Sequence, residues 1–339
     1  MQNGVFMALN DKLFIPKNIA CPICGTTFTR YNLRKKQFSL NKRDIDYRPT
    51  YLGGITPRYY SVCVCPNCFY AAEDKYFCPS MTAEEARKHA LLESHRSQWE
   101  SANRIRAASN GQQIWKDAES EKLKELTPVN ISILRQIKPL LDRVAVDLKK
   151  KSKPVNELQK EGDLETAIRS WELAEICYKA RRANHRILGY TYLQGAWTAR
   201  DAYDDTQDPE LKARYKAFET AYLKDAISFL NITNLATGVD DAFMPDGTRI
   251  PKENIPQSRV FEIMYILAGA NRLLGNIPES NKFLEQIIYG ANGAQGIILW
   301  FVNQAREMRH EESANFQTDV SDETEGDDFD GVENNDEEY

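Results

Sequence analysis

The sequence lacks the features that would place it in or across a membrane. No apolar run in its 339 residues approaches the roughly 18 residues that a membrane-spanning helix needs. The first residues also lack the basic start and long apolar core of a secretory signal. These absences predict a cytoplasmic protein without membrane insertion, whose cysteines stay reduced rather than forming disulfides.

Recognisable catalytic patterns are absent as well. The sequence has no phosphate-binding loop, no dinucleotide-binding glycine motif and no serine elbow, and none of its four histidines lies beside a nucleophile pattern. We therefore expect a protein that is not an enzyme. The alternative is an enzyme with an unrecognised site, which a deep pocket of convergent polar groups would favour.

Charge is distributed unevenly along the chain. The formal net charge is −5, but residues 316–339 contain eleven acidic residues and no basic one. The rest of the chain has 44 basic and 38 acidic residues, a net charge of +6. Composition therefore predicts a mildly basic folded body and a disordered acidic tail over 313–339.

Residue composition and periodicity divide the body of the chain into three parts. The first part holds six of the seven cysteines and short alternating runs such as 59–64, which predicts a small β module over 1–80. Helical periodicity then predicts a charged helical connector over 81–160 and a helical domain over 161–312. The predicted fold class is mainly α: a small β zinc-ribbon-like module followed by an α-helical TPR-like or antiparallel helical domain.

Helix boundaries in these parts are marked by capping residues, proline and glycine. Asp163, Asn184 and Pro209 mark helix starts, and Pro139 is expected to kink or divide the helix that contains it. A loop is expected over 232–256. The predicted helices cover 82–108, 112–126, 129–150, a stretch from 163 onward, 184–201, a long stretch from 209, 258–274, 278–289 and a last one that ends near 310.

Two Cys-x-x-Cys turns are the most specific pattern in the sequence. They are Cys21-Pro-Ile-Cys24 and Cys65-Pro-Asn-Cys68. Each turn points two sulfurs at one ion, and the proline after the first cysteine restricts the turn. Two such turns supply the four thiolates of a tetrahedral zinc site, which leaves no open position for catalysis. We therefore predict one structural zinc ion bound by Cys21, Cys24, Cys65 and Cys68.

Alternatives for the cysteines stay open. Thiol redox chemistry is the rival for a Cys-x-x-Cys turn, but it favours a helix N-terminus in a βαβ unit, which neither turn has. Cys63 is expected to be a small buried residue and Cys177 a core residue, with replacement of a zinc ligand by Cys63 or Cys78 as the alternative. The second turn also has Phe69 where the first has Gly25, a residue that tolerates a positive φ.

Basic residues are concentrated between the two turns. They are interleaved with Tyr31, Phe38 and Tyr47, a pattern found in some nucleic-acid-binding surfaces. A solvated strand face with aromatics packed beneath it is the alternative. The candidate nucleic-acid-binding residues are Arg30, Arg34, Lys35, Lys36, Lys42 and Arg43.

Two segments have the spacing of tetratricopeptide (TPR) helices. The first is Leu188-Gly-Tyr-Thr-Tyr192, which has the Leu-Gly-x-x-Tyr spacing of a first TPR helix. Small residues at such positions let paired helices approach closely, so we predict TPR-like hairpins, with a plain antiparallel bundle as the alternative. The second segment has small and apolar residues at Leu267, Ala268, Gly275, Ser280, Leu284 and Ile287. It departs from the TPR pattern at Asn271, where an aromatic residue is usual.

Four segments in the first part of the chain form a recognisable set. They are Cys21-Pro-Ile-Cys-Gly-Thr-Thr-Phe, Arg43-Asp-x-Asp46, Pro57-Arg-Tyr-Tyr-Ser-Val and Val64-Cys-Pro-Asn-Cys-Phe-Tyr-Ala-Ala. Together they resemble the bacterial "domain of unknown function 2225" family. The resemblance is specific over about 19–77 and looser over 163–310. It implies a bacterial origin, a zinc-ribbon segment with the four cysteines as ligands, and TPR-like helices after it, but it implies no activity.

Together these features predict a cytoplasmic, non-enzymatic scaffold or interaction protein. The zinc module is expected to be a rigid platform, and the helical domain to supply a groove for a peptide or a partner helix. A protein is therefore the expected partner. The alternative is a nucleic-acid-binding protein that uses the basic segment 30–48.

Overall fold

The fold divides into two compact units. The first unit is Met1–Asp44 with Arg48–Glu253, and the second is Ile45–Tyr47 with Asn254–Tyr339. The computed structural model describes residues 13–24, 26–34, 38–53, 55–79, 131–237, 249, 255–291 and 295–322. The helices predicted over 82–108 and 112–126 lie outside these residues.

The N-terminal part of the first unit forms small antiparallel sheets. One has the strand order β2-β1-β7, another pairs β3 with β4, and a third pairs β5 with β6. Two 3₁₀ turns, Pro57–Tyr60 and Asp74–Tyr76, flank the third sheet. The strands are β1 (Phe14–Ala20), β2 (Thr27–Leu33), β3 (Ser39–Arg43), β4 (Pro49–Leu52), β5 (Val62–Val64), β6 (Ala71–Glu73) and β7 (Cys78–Pro79).

Two hairpins carry the Cys-x-x-Cys turns. Strands β1 and β2 pair up to Ala20 and Thr27, and strands β5 and β6 pair up to Val64 and Ala71. The loops over 21–26 and 65–70 therefore close the two hairpins, and each loop contains one Cys-x-x-Cys turn.

The strand predicted over 59–64 is shorter in the structure. Pro57–Tyr60 is a 3₁₀ turn, and only Val62–Val64 pairs as β5. Pro57 presets φ near the helical value and has no N–H to donate to a neighbouring strand, so it favours a turn at this point. The alternating pattern was right for the second half of the segment and wrong for Tyr59 and Tyr60.

Helices make up the rest of the described first unit. Side-chain caps start three of them at the predicted places: Asp163 accepts from Thr166 N–H at 2.8 Å, and Asn184 accepts from Ile187 N–H at 2.9 Å. Asp208 caps the helix that Pro209 begins. Such a cap stabilises a helix by about 1 kcal/mol. The helices are α1 (Ile131–Val144), α2 (Val146–Lys150), α3 (Val155–Lys160), α4 (Leu164–Ala180), α5 (His185–Asp205) and α6 (Pro209–Ala236).

The helix predicted over 129–150 is divided, but at Ala145 rather than at Pro139. Helix α1 runs through Pro139 to Val144. Pro139 has no N–H, so one hydrogen bond of the helix is missing there. Leu141 and Ala145 are buried in the core of the unit, so tertiary packing keeps the chain helical despite this loss.

The second unit contains α7 (Gln257–Leu273), α8 (Ile277–Gly290) and α9 (Ile297–Asp322). Helix α7 is terminated by Gly275, two residues after its last residue, where the backbone takes the left-handed conformation with a φ of +78°. Helix α9 continues past the end predicted near His310, into the segment predicted to be disordered from 313. The helix therefore ends later than predicted, because acidic composition marks a solvated segment but not the residue at which a helix ends. The disordered tail stays a prediction. Residues 323–339 lie outside the described chain.

Segment 45–47 packs inside the second unit. The ring of Tyr47 lies 5.4 Å from that of Phe301 and 6.1 Å from that of Tyr265. Tyr47 has a positive φ of 70°, which is uncommon for a residue with a large side chain. Gly269 of α7 makes room for the segment, because a Cβ there would lie 2.1 Å from the backbone oxygen of Ile45.

One buried core joins the β strands and helices of the first unit. Val62 and Val64 of β5 and Ala71 of β6 belong to the same cluster as Trp171 and Ala174 of α4. The compact units therefore divide the chain differently from the predicted segments 1–80, 81–160 and 161–312, since strand and helix residues far apart in sequence share one core. The predicted fold class is confirmed at the level of a small β region followed by helices. In the described part of the chain, no helix is both long and apolar enough to cross a membrane.

Candidate metal centre

The four cysteines of the two predicted turns come together in the first unit. Their Sγ atoms all lie within 4.8 Å of one another. The Cys21 and Cys68 sulfurs are 3.6 Å apart, and the Cys24 and Cys65 sulfurs are 3.5 Å apart. Tetrahedral zinc with Zn–S bonds of about 2.3 Å places its sulfurs about 3.8 Å apart. A disulfide would need about 2.05 Å, and all four cysteines are free.

The two loops share one backbone geometry. The Cys21 N–H donates to the Thr26 carbonyl at 2.9 Å, and the Cys65 N–H donates to the Tyr70 carbonyl, also at 2.9 Å. In each loop the backbone N–H of the first cysteine thus donates a hydrogen bond to the backbone carbonyl of the fifth residue after it. In the first loop the Ile23 N–H also points at the Cys21 sulfur, at 3.4 Å. These bonds fix the direction of the sulfurs before any ion binds.

Burial differs between the two cysteines of each turn. Cys21 and Cys65 are completely buried, whereas Cys24 and Cys68 are half-buried. The cluster therefore lies at the edge of the core, with the second cysteine of each turn toward solvent. A metal bound here would be covered by protein on one side and thinly covered on the other.

Burial and hydrogen bonds among the four thiols change their pKa values. Burial is the largest cause that raises the pKa of Cys21. Hydrogen bonding with Cys21 is the largest cause that lowers the pKa of Cys24 and of Cys65. A divalent cation would compensate the four negative sulfurs, which is the chemistry that this donor set fits.

Phe69 takes the backbone conformation that glycine would take more easily. Its φ is 60°, directly after Cys68. Its ring is buried, and the ammonium groups of Lys138 and Lys149 lie 5.7 and 5.2 Å from the ring centroid. The backbone strain of about 1–2 kcal/mol is offset by burial of an aromatic ring.

The remaining cysteines lie apart from the cluster, as far as the structure describes them. Cys63 is completely buried on β5, and burial raises the pKa of its thiol to about 12. Cys177 of α4 is also buried; its sulfur accepts from the Ala71 N–H at 3.4 Å, and burial raises its pKa to about 12. Both are core residues, as predicted. The side chain of Cys78 lies outside the described residues, so its predicted alternative role stays a prediction.

The candidate basic surface is smaller than the sequence indicates. Arg30 is only 3% exposed; it donates to the Tyr60 carbonyl and, at 3.3 Å, to Gln159 Oε1. Arg30 therefore belongs to the interior, which excludes it from a surface that could contact nucleic acid. Arg34 and Lys42 are exposed and Arg43 is half-buried, whereas Lys35 and Lys36 lie outside the described residues.

Two further basic residues between the Cys-x-x-Cys turns, Arg48 and Arg58, belong to a buried charge network. The carboxylate of Asp201 on α5 accepts from Arg58 Nε at 2.7 Å and from Arg48 Nη1 at 3.0 Å. Arg48 also pairs with Asp44 at 2.6 Å. The sequence suggested no role for this network. Its only signal was that Arg58 and Asp44 occur in the segments of family resemblance.

The helices α4, α5 and α6 present a second candidate surface. Glu175 of α4 accepts from the Tyr192 hydroxyl of α5 at 2.8 Å and from the Tyr222 hydroxyl of α6 at 2.7 Å. The half-exposed ammonium of Lys179 also donates to Glu175, at 2.8 Å. Close packing of α5 on α6 depends on Gly189 and Gly195: a Cβ at either position would come within 2.7 Å of a side chain of α6.

The described histidines do not form a catalytic group. His185 stacks on Phe229, with ring centroids 5.9 Å apart. His310 lines a cavity of about 350 Å³ in the second unit together with Ile288, Arg306 and Arg309. Among these described lining residues there is no carboxylate or nucleophile. His89 and His95 lie outside the described chain.

Comparison with known proteins identifies one family. The model of a family described as an uncharacterized protein conserved in bacteria (DUF2225) matches residues 14–120 and 131–312. No curated protein matches the chain, and no solved structure matches it.

Proposed function

The chain belongs to the DUF2225 family of uncharacterised bacterial proteins, and we propose that it is a zinc-stabilised interaction protein without catalytic activity. In this proposal one zinc ion is bound by Cys21, Cys24, Cys65 and Cys68 and has a structural role. TPR-like helices of the chain then bind a peptide or a helix of a partner protein.

The sulfur geometry is the observation that carries the proposal. Four thiolates prefer soft or borderline metals, and a tetrahedral group of four sulfurs is typical of structural zinc. When zinc is bound, its two positive charges offset part of the charge of the four thiolates and it cross-links the four sulfurs, and four protein ligands leave no coordination position for a substrate. The role that fits is stabilisation of the fold.

The position of the cluster explains what zinc would stabilise. Cys21 and Cys65 lie in the same buried cluster as Trp171 of α4. A cross-link between the two loops therefore supports the interface of the β hairpins with helix α4, and so supports the whole first unit.

The α4–α6 layer supports the binding part of the proposal. Glycines at the α5–α6 contact allow the close approach that TPR-like pairs need. The side of α4 that is not in the core carries charges of both signs, an arrangement suited to polar contacts around an anchored peptide. The residues of this side are Glu165, Arg169, Glu172, Glu175 and Lys179.

Metal analysis tests the zinc part. Protein purified without added metal should contain about one zinc ion per chain by mass spectrometry of the metal content. A variant with Cys24→Ser and Cys68→Ser should contain nearly none, since two ligands are lost. A wild-type content near zero, or a different metal at full occupancy, would overturn this part.

Site-specific crosslinking tests the binding part. A photoreactive amino acid replaces Lys179 on the open side of α4 or, as a matched control, the exposed Lys224 of α6. In the source bacterium we expect the same protein to be crosslinked from position 179 in repeated experiments, and much less of it from position 224. Equal yields from both positions would contradict a binding surface on α4.

The nucleic-acid alternative depends on the exposed hairpin of β3 and β4. Strand β3 is exposed along most of its length and carries Lys42. Binding of a fluorescent single- or double-stranded oligonucleotide at low salt, abolished by Lys42→Glu with Arg34→Glu and steeply reduced by added salt, would favour it. Absence of binding at low salt would exclude it.

A further inference from the structure

Thr26 contacts both Cys-x-x-Cys loops. Its hydroxyl oxygen lies 3.1 Å from the Cys24 sulfur of its own loop. The same oxygen accepts from Asn67 Nδ2 of the second loop at 3.0 Å. Its carbonyl accepts from the Cys21 N–H at 2.9 Å. Apart from the sulfurs themselves, this side chain is therefore a direct polar link between the two loops.

This link lies on the solvent side of the cluster. Asn67 is exposed and Thr26 is half-buried. Cys24 is also half-buried, in contrast to the fully buried Cys21 and Cys65. A ligand or chelator that removed a metal ion would approach from this side, since the other side is closed by the core.

The hydrogen-bonding capacity of a hydroxyl fits this position. A threonine hydroxyl has one proton to donate and two lone pairs that accept. A cysteine that binds a metal is a thiolate, which can only accept. With metal bound, Thr26 Oγ1 therefore donates to the Cys24 sulfur and keeps accepting from Asn67, and both bonds are satisfied at the distances observed.

We infer that Asn67 and Thr26 form a latch over the solvent side of the metal centre, which holds the two loops together and slows the release of the ion. The inference rests on the proposed zinc site and adds positioning residues to it. Bonds to metal ligands of this kind change metal affinity by about 10- to 100-fold when they are lost. The latch should act mainly on the rate of release, because it must open before a sulfur can swing away.

A matched set of variants separates the latch from general effects on folding. Thr26→Val removes the hydroxyl and keeps the shape, and Thr26→Ser keeps the hydroxyl. Asn67→Ala removes the other half of the latch at an exposed position where misfolding is not expected. Thr29→Val is the control, because Thr29 lies three residues after Thr26, on strand β2, and its exposed hydroxyl donates to Asn18 Oδ1 at 3.2 Å, away from the cysteines.

The experiment measures zinc release from the full-length, zinc-loaded protein to a coloured chelator in excess. We expect Thr26→Val and Asn67→Ala to release zinc about 10-fold faster or more, and Thr26→Ser and Thr29→Val to match the wild type. The double variant should be no faster than Thr26→Val alone, because both residues belong to one latch. Absorption of the cobalt(II)-substituted variants should still show four sulfur ligands.

Two negative outcomes are distinguishable. If the wild type binds no zinc, the proposed function fails. If it binds zinc but all variants release the ion at the wild-type rate, the zinc site stands and the latch is overturned. A loss of sulfur coordination in the cobalt spectrum of Asn67→Ala would also overturn the latch, because it would show a change of ligands.

Discussion

The Asp201 carboxylate lies 2.7 Å from Nε of Arg58, a side chain that is only 4% exposed. Helix α5 thereby holds a residue of the 3₁₀ turn that precedes the second Cys-x-x-Cys loop. A buried guanidinium is tolerated only when its charge is compensated. This pair therefore joins the β region to the helices of the first unit by electrostatics, in addition to their shared apolar core.

Replacement of Asp201 by alanine should lower the free energy of unfolding strongly. The change leaves Arg58 without its carboxylate and removes one of the partners of Arg48, and loss of one member of a buried ion pair costs about 3–5 kcal/mol. Urea unfolding followed by circular dichroism measures the effect. Asp205→Ala, at an exposed position of the same helix, should change the stability by about 0.5 kcal/mol or less. Equal effects would show that Arg58 finds other compensation.

Loss of the metal should weaken helices as well as strands. Cys21→Ala removes a proposed ligand whose neighbours share a core with α4, so we expect lower zinc content and a lower melting temperature of the helical circular-dichroism signal. Cys63→Ala is the matched control, because Cys63 is equally buried but lies outside the sulfur cluster. It should keep one zinc ion. A helical signal that melts unchanged in Cys21→Ala would indicate that the metal stabilises only the loops.

Phe69 offers a test of the strained loop. Phe69→Ala should destabilise the protein by about 3–5 kcal/mol through loss of the buried ring. Phe69→Gly loses the same ring but relieves the positive φ of 60°. The glycine variant should therefore be more stable than the alanine variant by about 1 kcal/mol in urea unfolding. An alanine variant as stable as the glycine variant would mean that the loop changes conformation when the ring is removed.

Gly269 should be intolerant of a side chain. In Gly269→Ala the new Cβ would meet the backbone of segment 45–47, which cannot move as easily as a flexible side chain. We expect a loss of about 1–3 kcal/mol and faster hydrogen exchange in α7. Gly290→Ala is the control, since the nearest atom to its Cβ would be 4.0 Å away, on Phe261. A Gly269→Ala protein as stable as the control would contradict the packing of segment 45–47 on α7.

Local chemistry made part of this structure predictable from the sequence. The helix starts at Asp163, Asn184 and Pro209 were predicted correctly, because a cap is formed by residues within one turn of each other. Both sulfurs of each Cys-x-x-Cys turn lie in one group, which the short spacing within the turn also predicted. The convergence of the two turns was also predictable, since two Cys-x-x-Cys turns in one chain are typical of a shared four-sulfur site.

Only the tertiary structure decided which charges are buried and which residues share a core. Arg30 looked like its basic neighbours in sequence, yet its side chain is enclosed by Gln159 and the Tyr60 carbonyl from distant parts of the chain. Likewise no sequence pattern marks Thr26 and Asn67, whose hydrogen bond forms only because the two loops lie side by side in the folded chain. By itself the sequence determined the two Cys-x-x-Cys turns and the helix starts, because these depend on spacing and on neighbours within a turn. Burial and the contact between the loops depend on residues 30 to 129 positions apart, and those are brought together only by folding.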